Sequence, residues 1–242
     1  MSATGLLVNV AATRVGTRAL GPGLRSVLWV QGCPFTCPGC MSPQWIPDRR
    51  TRLVTPRELA SELLGDARVT GLTLSGGEPM AQADALAEMV AHARAARDLS
   101  VLCFTGYRLE RLRADPPNPG VARLLACVDT LVDGLYVAAL DDGRGLRGSR
   151  NQRVHRLNPR AEEAGTDFEE GPRSVEIALE GPTALLVGVP PPGLLTAFDT
   201  AVDTVRALTG GNPGGRGPGP DGRQPRCDQG RKRECDGTDG QR

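Results

Sequence analysis

Three cysteines fall within eight residues, in Gly32-Cys33-Pro34-Phe35-Thr36-Cys37-Pro38-Gly39-Cys40. The spacing C-x3-C-x2-C offers three thiolates from one short loop, and thiolates suit zinc and iron–sulfur clusters. A structural zinc site takes four ligands, usually from two C-x2-C knuckles on separate turns. Only one such pair is present, and neither His92 nor His155 stands where a zinc pattern would place it. A [4Fe–4S] cube has four irons, so three thiolates leave one iron open to an exchangeable ligand. Both the spacing and the missing fourth ligand favour a catalytic cluster over a structural site. The chain has seven cysteines, an odd number, and its first dozen residues lack the basic and apolar regions of a secretory leader. Reduced thiols and a cytoplasmic location are the expectation. Cys103 and Cys127 lie in apolar or helical stretches and read as core thiols. Cys227 and Cys235 lie in a polar tail without a companion pair and are not expected to hold an auxiliary cluster.

The elements that must position this loop alternate. Val27–Val30 is a short apolar run that feeds the cysteine loop and reads as a buried strand. Thr55-Pro56 opens a helix, with Thr55 as N-cap and Glu58 completing a capping box; the helix runs to about Leu64, and Gly65 ends it. A strand over Val69–Leu74 leads into Ser75-Gly76-Gly77-Glu78-Pro79. A helix over Asp84–Arg97, with an apolar stripe at Leu86, Met89, Val90 and Ala93, follows. A strand over Leu99–Phe104, a helix around Val121–Ala126 and a strand over Thr130–Val132 continue the pattern. This βαβα order predicts an α/β fold with a mostly parallel sheet. Sites in such sheets form at the carboxyl ends of strands. The cysteine loop, Gly76–Pro79, Thr105 and Asp133 all fall there. Thr105 and Asp133 are candidates for cofactor contact, with strand-end capping as the other reading. Residues 141–173 read as a polar loop, Val175–Leu179 and Ala184–Val189 as a hairpin, and Leu194–Leu208 as a last helix.

Composition narrows the classes. With 242 residues, one full domain is expected, here over residues 1–209. Residues 210–242 contain ten Gly and four Pro and no Leu, Ile, Val, Phe, Met, Trp or Tyr, so they cannot offset their ordering entropy and are expected to be disordered. A formal net charge of +1 argues against a nucleic-acid partner, and no apolar run is long enough for a membrane span. Arginine supplies all the basic residues but Lys232, a bias of base composition rather than of function.

The C-x3-C-x2-C loop after a first strand and the Gly-Gly-Glu-Pro segment after the next resemble the radical S-adenosylmethionine (radical SAM) superfamily. The resemblance narrows over residues 21–156. It rests on Gly21-Pro22-Gly23-Leu24-Arg25, Gln31-Gly32-Cys33, Cys37-Pro38-Gly39-Cys40, Phe104-Thr105-Gly106-Tyr107, Leu131-Val132-Asp133-Gly134 and Leu146–Arg153. These are similar to the glycyl-radical activating enzymes, in the branch serving anaerobic ribonucleotide reductase. The resemblance implies a partial (β/α) barrel and a [4Fe–4S] cluster on Cys33, Cys37 and Cys40, with S-adenosylmethionine on the fourth iron. Reductive cleavage to a 5′-deoxyadenosyl radical and hydrogen abstraction from a partner's glycine would follow. It also implies cofactor contacts from Gly76, Gly77, Glu78, Pro79, Thr105, Asp133, Ser149 and Asn151, with Gln152 beside them, and a reductant such as flavodoxin or ferredoxin. Two other readings fit the residues: a radical SAM enzyme acting on another peptide or small molecule, and a non-catalytic iron–sulfur or zinc-binding interaction protein.

Overall fold

The computed structural model describes residues 5–158, 167–180 and 183–208. The tail from 210, with Cys227 and Cys235, and residues 181–182, between the two expected hairpin strands, lie outside them. Residues 1–196 form one compact unit; a second, from 197 on, holds most of helix α5 (Leu194–Leu208).

The first unit is built on a seven-stranded sheet in the order β3-β1-β2-β4-β5-β6-β7. Its centre is four parallel strands, β2 (Arg25–Val30), β4 (Gly71–Gly76), β5 (Ser100–Thr105) and β6 (Thr130–Asp133). All six residues of β2 are buried, as expected for a strand covered on both faces. Helices α1 (Pro56–Leu63), α2 (Ala83–Ala96), α3 (Leu109–Ala114) and α4 (Val121–Cys127) complete the crossovers. The capping box of α1 forms in both directions between Thr55 and Glu58. Sheet and helices share one apolar core. Leu28, Val30, Leu72, Leu74 and Leu131 from the strands meet Leu59, Leu63, Leu86, Met89 and Val90 from the helices. Cys103 is buried there, while Cys127 is half-buried at its margin.

Three strands depart from the sequence expectation. β1 (Val8–Thr17) and β3 (Arg52–Val54) extend the sheet antiparallel on one side, and β7 (Arg153–Arg156) pairs antiparallel with β6 on the other. The stretch 141–173 is therefore not loop throughout. Arg153 stands opposite Asp133, and His155 opposite Leu131. The hairpin of β8 (Val175–Glu180) and β9 (Thr183–Gly188) forms as expected, as a separate two-stranded sheet.

The sheet's second face carries no helix of this set. Alternation along each strand turns Val27 and Trp29 of β2, and Leu102 and Val132 of β5 and β6, onto it. Ala19, Leu20, Val187 and Val189 cover the first pair, and Leu146 and Phe168 the second. Between these two coverings the face opens at the carboxyl ends of the parallel strands.

Candidate active site

A cavity of about 180 Å³ lies at that opening. The loop after β2 brings Cys33, Cys37 and Cys40 to it, the loop after β4 brings Gly76, Gly77 and Glu78, and β5 ends on it with Thr105 and Gly106.

The cysteine loop is tied to its neighbours through backbone. Gly32 N donates to Trp45 O at 2.9 Å and Cys33 N to Ile46 O at 3.0 Å, so the loop's two ends are held side by side. Gly77 N donates to Val30 O at 2.7 Å and Glu78 N to Gly32 O at 2.9 Å, which joins the glycine loop to the strand that feeds the cysteines. This contact demands glycine. A Cβ on Gly77 would stand 2.1 Å from Gly32 O, and one on Gly76, whose φ is +105°, would stand 2.4 Å from Val30 N.

Glu78 is buried, and three donors converge on its carboxylate: Met80 N at 2.9 Å, Thr105 Oγ1 at 2.8 Å and Gly106 N at 2.8 Å. Burial nonetheless raises its pKa to about 7, against the pull of those donors. Glu78 thereby locks the end of β5 to the glycine loop. Burial likewise pushes the Cys33 thiol up to about 11, opposed by a hydrogen bond from Phe35 N, and raises the Cys37 thiol against one from Tyr136 N. Without a metal these sulfurs keep their protons, and a cluster must displace them. Cys40 Sγ accepts from Ser42 N at 3.4 Å.

The predicted residues do not all meet here. Cys33, Cys37, Cys40, Gly76, Gly77, Glu78, Thr105 and Gln152 line the cavity; Pro79, Asp133, Ser149 and Asn151 do not. Pro79 is buried at the start of a short helical turn. Asp133 lies two residues after Leu131 and so faces the helix side of the sheet, where it pairs with Arg153 (2.6 Å), His155 (3.0 Å) and Arg108 (3.2 Å) and accepts from Leu109 N (2.7 Å). Ser149 is buried and accepts from Val137 N. Asn151 Nδ2 donates to Leu135 O, while its Oδ1 is buried without a partner among the described residues. Gln152 accepts from Gly148 N (2.8 Å) and donates to Gly134 O (2.7 Å), fixing two glycines of the rim. Sequence reasoning missed the apolar lining of Leu20, Trp29, Phe35, Tyr136, Leu146 and Val189. For Trp29 no signal was present, since β2 is apolar from Val27 to Val30 and buried on both faces; for Val189 it came only with the hairpin's placement.

Among the described residues no group of three or more His, Cys, Asp or Glu is gathered as a single ion would require. A cluster of several irons spreads its thiolates over separate metals, so a loop of three thiols beside a cavity fits that group better than it fits one ion. A lining with aromatic and apolar side chains beside the Glu78 carboxyl and the glycine backbone fits a cofactor with polar and aromatic parts.

Comparison with known proteins agrees with this geometry. A family described as a 4Fe-4S single cluster domain matches residues 19–155, more than half of the chain. The anaerobic ribonucleoside-triphosphate reductase-activating protein of Vibrio cholerae is 34% identical over 147 residues, covering 57% of this chain and 90% of that protein. Its counterpart in bacteriophage T4 is 33% identical over 140 residues, 55% of this chain and 85% of that protein. A pyruvate formate-lyase-activating enzyme of Staphylococcus aureus is 40% identical over 77 residues, 29% of this chain and 31% of that enzyme.

Proposed function

The chain belongs to the radical SAM family of glycyl-radical activating enzymes, and on that premise we propose that it activates a partner enzyme by withdrawing a hydrogen atom from one of its glycines. The observation that carries the reading is the meeting of three thiols, the glycine loop and an apolar lining in one cavity at the carboxyl edge of the sheet. Cys33, Cys37 and Cys40 would hold the [4Fe–4S] cluster. When bound, cluster and S-adenosylmethionine supply reductive cleavage of the sulfonium C–S bond, giving methionine and a 5′-deoxyadenosyl radical. The electron comes from a reductant of the flavodoxin or ferredoxin kind. The chain's own residues position and shield. Glu78 holds the ends of β4 and β5 together, and Trp29, Phe35, Leu146 and Val189 keep water from the reacting centre. We read the sheet as the partial (β/α) barrel of this family, with residues 1–209 as the cluster domain and 210–242 as an appended tail.

The partner on this reading is a glycyl-radical enzyme such as an anaerobic ribonucleotide reductase. The rim suits a neutral peptide segment. Residues 26–47 and 134–140 contain no charged side chain, although 24% of the whole chain is charged, and Leu135 and Val137 are exposed on the second of these stretches.

The test is 5′-deoxyadenosine formation from S-adenosylmethionine by anaerobically reconstituted, reduced protein, with and without a glycyl-radical partner. Production, and a glycyl radical seen by electron paramagnetic resonance in the partner, are expected. Cys37→Ala should remove both the cluster's brown colour and the product. Undiminished cleavage by that variant would overturn the ligand set.

A further inference from the structure

We propose that residues 167–180 and 183–190 form an access-limiting wall of the cysteine cavity, and that Arg173 is the positioning residue that holds this wall in place. The segment lies beyond residue 155, where the family match ends. It is nevertheless built into the cavity, which Gly188 and Val189 line.

Both ends of the segment are seated on the sheet. Val187 and Val189, 0% and 7% exposed, pack with Leu20 and Trp29 on the face of β2. Phe168, 4% exposed, packs with Leu102 and Val132 on β5 and β6 and with Leu146 of the loop before β7. Backbone bonds from Leu146 N to Phe168 O (2.9 Å) and from Gly145 N to Gly171 O (2.7 Å) join the segment to the loop before β7. Gly145 has a φ of +61°, and a Cβ there would stand 2.3 Å from Phe168 O, so this junction requires glycine.

Arg173 spans the two halves. Its side chain is 1% exposed, and its guanidinium meets Asp141 Oδ1 at 2.8 Å. It also donates to the carbonyls of Gly145 (3.2 Å), Arg147 (2.8 Å) and Gly148 (3.3 Å) on the loop, and of Pro190 (3.0 Å) at the exit of the hairpin. Asp141 in turn accepts from Tyr136 Oη at 3.4 Å. Of the cavity lining, the fork bonds Gly148 directly, the chain neighbours of Leu146 and Val189, and Tyr136 through Asp141. A guanidinium presents several donors in a rigid plane; an ammonium presents one nitrogen and cannot reach both the loop and Pro190. Cys33, Cys37 and Cys40 are half-buried, and the wall covers one side of the cavity that they line, so loosening it should widen the approach to their thiols. The inference rests on the proposed function only for what the wall guards.

The test compares the rates at which individual cysteines of the full chain, before cluster assembly, are alkylated by iodoacetamide, read by peptide mass spectrometry. Cys103, fully buried in the helix-side core, is the internal control for whole-fold loosening. Arg173→Gln should raise the rate at Cys33 about tenfold relative to Cys103, and Arg173→Lys should fall between Gln and the parent. Val189→Ala, which thins the wall and leaves the tie intact, should raise it about threefold. In the reconstituted protein both Arg173→Gln and Val189→Ala should speed loss of cluster absorbance to a chelator by similar factors. Cys33 rates within twofold of the parent in both, or Cys33 and Cys103 rising in parallel, would overturn the proposal. Absence of 5′-deoxyadenosine in every protein would count against the proposed function while leaving the alkylation ratios to decide the wall.

Discussion

Replacing Asp133 by asparagine tests which of its two readings, cofactor contact or structural anchor, holds. Its Oδ1 accepts from Arg153 Nε at 3.0 Å and Arg108 Nη1 at 3.2 Å, and its Oδ2 from Arg153 Nη2 at 2.6 Å and Leu109 N at 2.7 Å. His155 Nε2 lies 3.0 Å from Oδ2 as well. An amide keeps one acceptor oxygen and turns an NH2 towards the other donors, so at least one buried donor is stranded. Breaking a buried pair costs about 3–5 kcal/mol. Here the side chains of Arg108 and Arg153 are each 42% exposed and regain water, which lowers the expectation to about 2–4 kcal/mol. Urea unfolding of the full chain should show the unfolding free energy falling by that amount, as a lower midpoint at unchanged slope. Asp84→Asn, which removes an exposed pair with Arg123, should cost less than about 1 kcal/mol. The acid limb gives a second reading. Burial raises the carboxyl of Asp133, but Arg153, Leu109 N and His155 more than offset this and hold it at about 2. Its stabilisation is therefore present above the ordinary value of 3.8 and is lost as pH falls towards 2; the asparagine variant should lack that loss. Where the variant is still folded, its affinity for S-adenosylmethionine should change less than about twofold, because the side chain faces away from the cavity. A cost below about 1 kcal/mol together with lost cofactor binding would refute this reasoning.

Two further outcomes follow from the glycine loop. Gly77→Ala places a methyl 2.1 Å from Gly32 O, an atom of fixed backbone, so it should cost upward of about 1–3 kcal/mol and impair cluster loading, read by denaturation and by iron content. Glu78, raised to about 7 by burial, should make stability fall by about 3 kcal/mol as pH rises from about 4.5 to about 7; Glu78→Gln should flatten that slope in urea melts run across this range.

The parallel centre of the sheet was legible because its signals are local. Apolar runs end in glycine or proline, Thr55 and Glu58 cap a helix by spacing alone, and α2 shows its buried stripe in one window. The antiparallel edges were not legible for equally physical reasons. In β7, Arg-Val-His-Arg looks like loop because two of its four side chains answer a buried carboxylate on another strand, which a local window does not contain. In β1 only Val8 and Val10 are deeply buried among its apolar residues, and the remainder is short or polar. Asp133 was placed at the correct strand end, but its face was not legible. All four residues of β6 are buried, so no alternation of polarity told which face each would take. Cys33, Cys37 and Cys40 needed no such information, since loop spacing alone kept them together.

The Gly-Gly-Glu-Pro segment shows why a motif's letters answer more than one demand. In sequence its glycines read as room for a ligand's approach. In the fold the space beside both is already taken by the backbone of Val30 and Gly32, and the carboxylate beside them is occupied by Met80, Thr105 and Gly106. These contacts join the ends of β2, β4 and β5 into one rim. The loops of this rim are therefore held by strands rather than left to move, with main-chain bonds of 2.7 and 2.9 Å on one side of the glycine loop and the Glu78 carboxylate on the other. On the proposed reading, three thiols that leave one iron open would need such a rim, because a loop free to collapse would bring a fourth protein ligand to that iron. The same requirement accounts for the scarcity of competing ligands: apart from the three thiols, Glu78 is the only His, Cys, Asp or Glu on the described lining, and its oxygens already have donors.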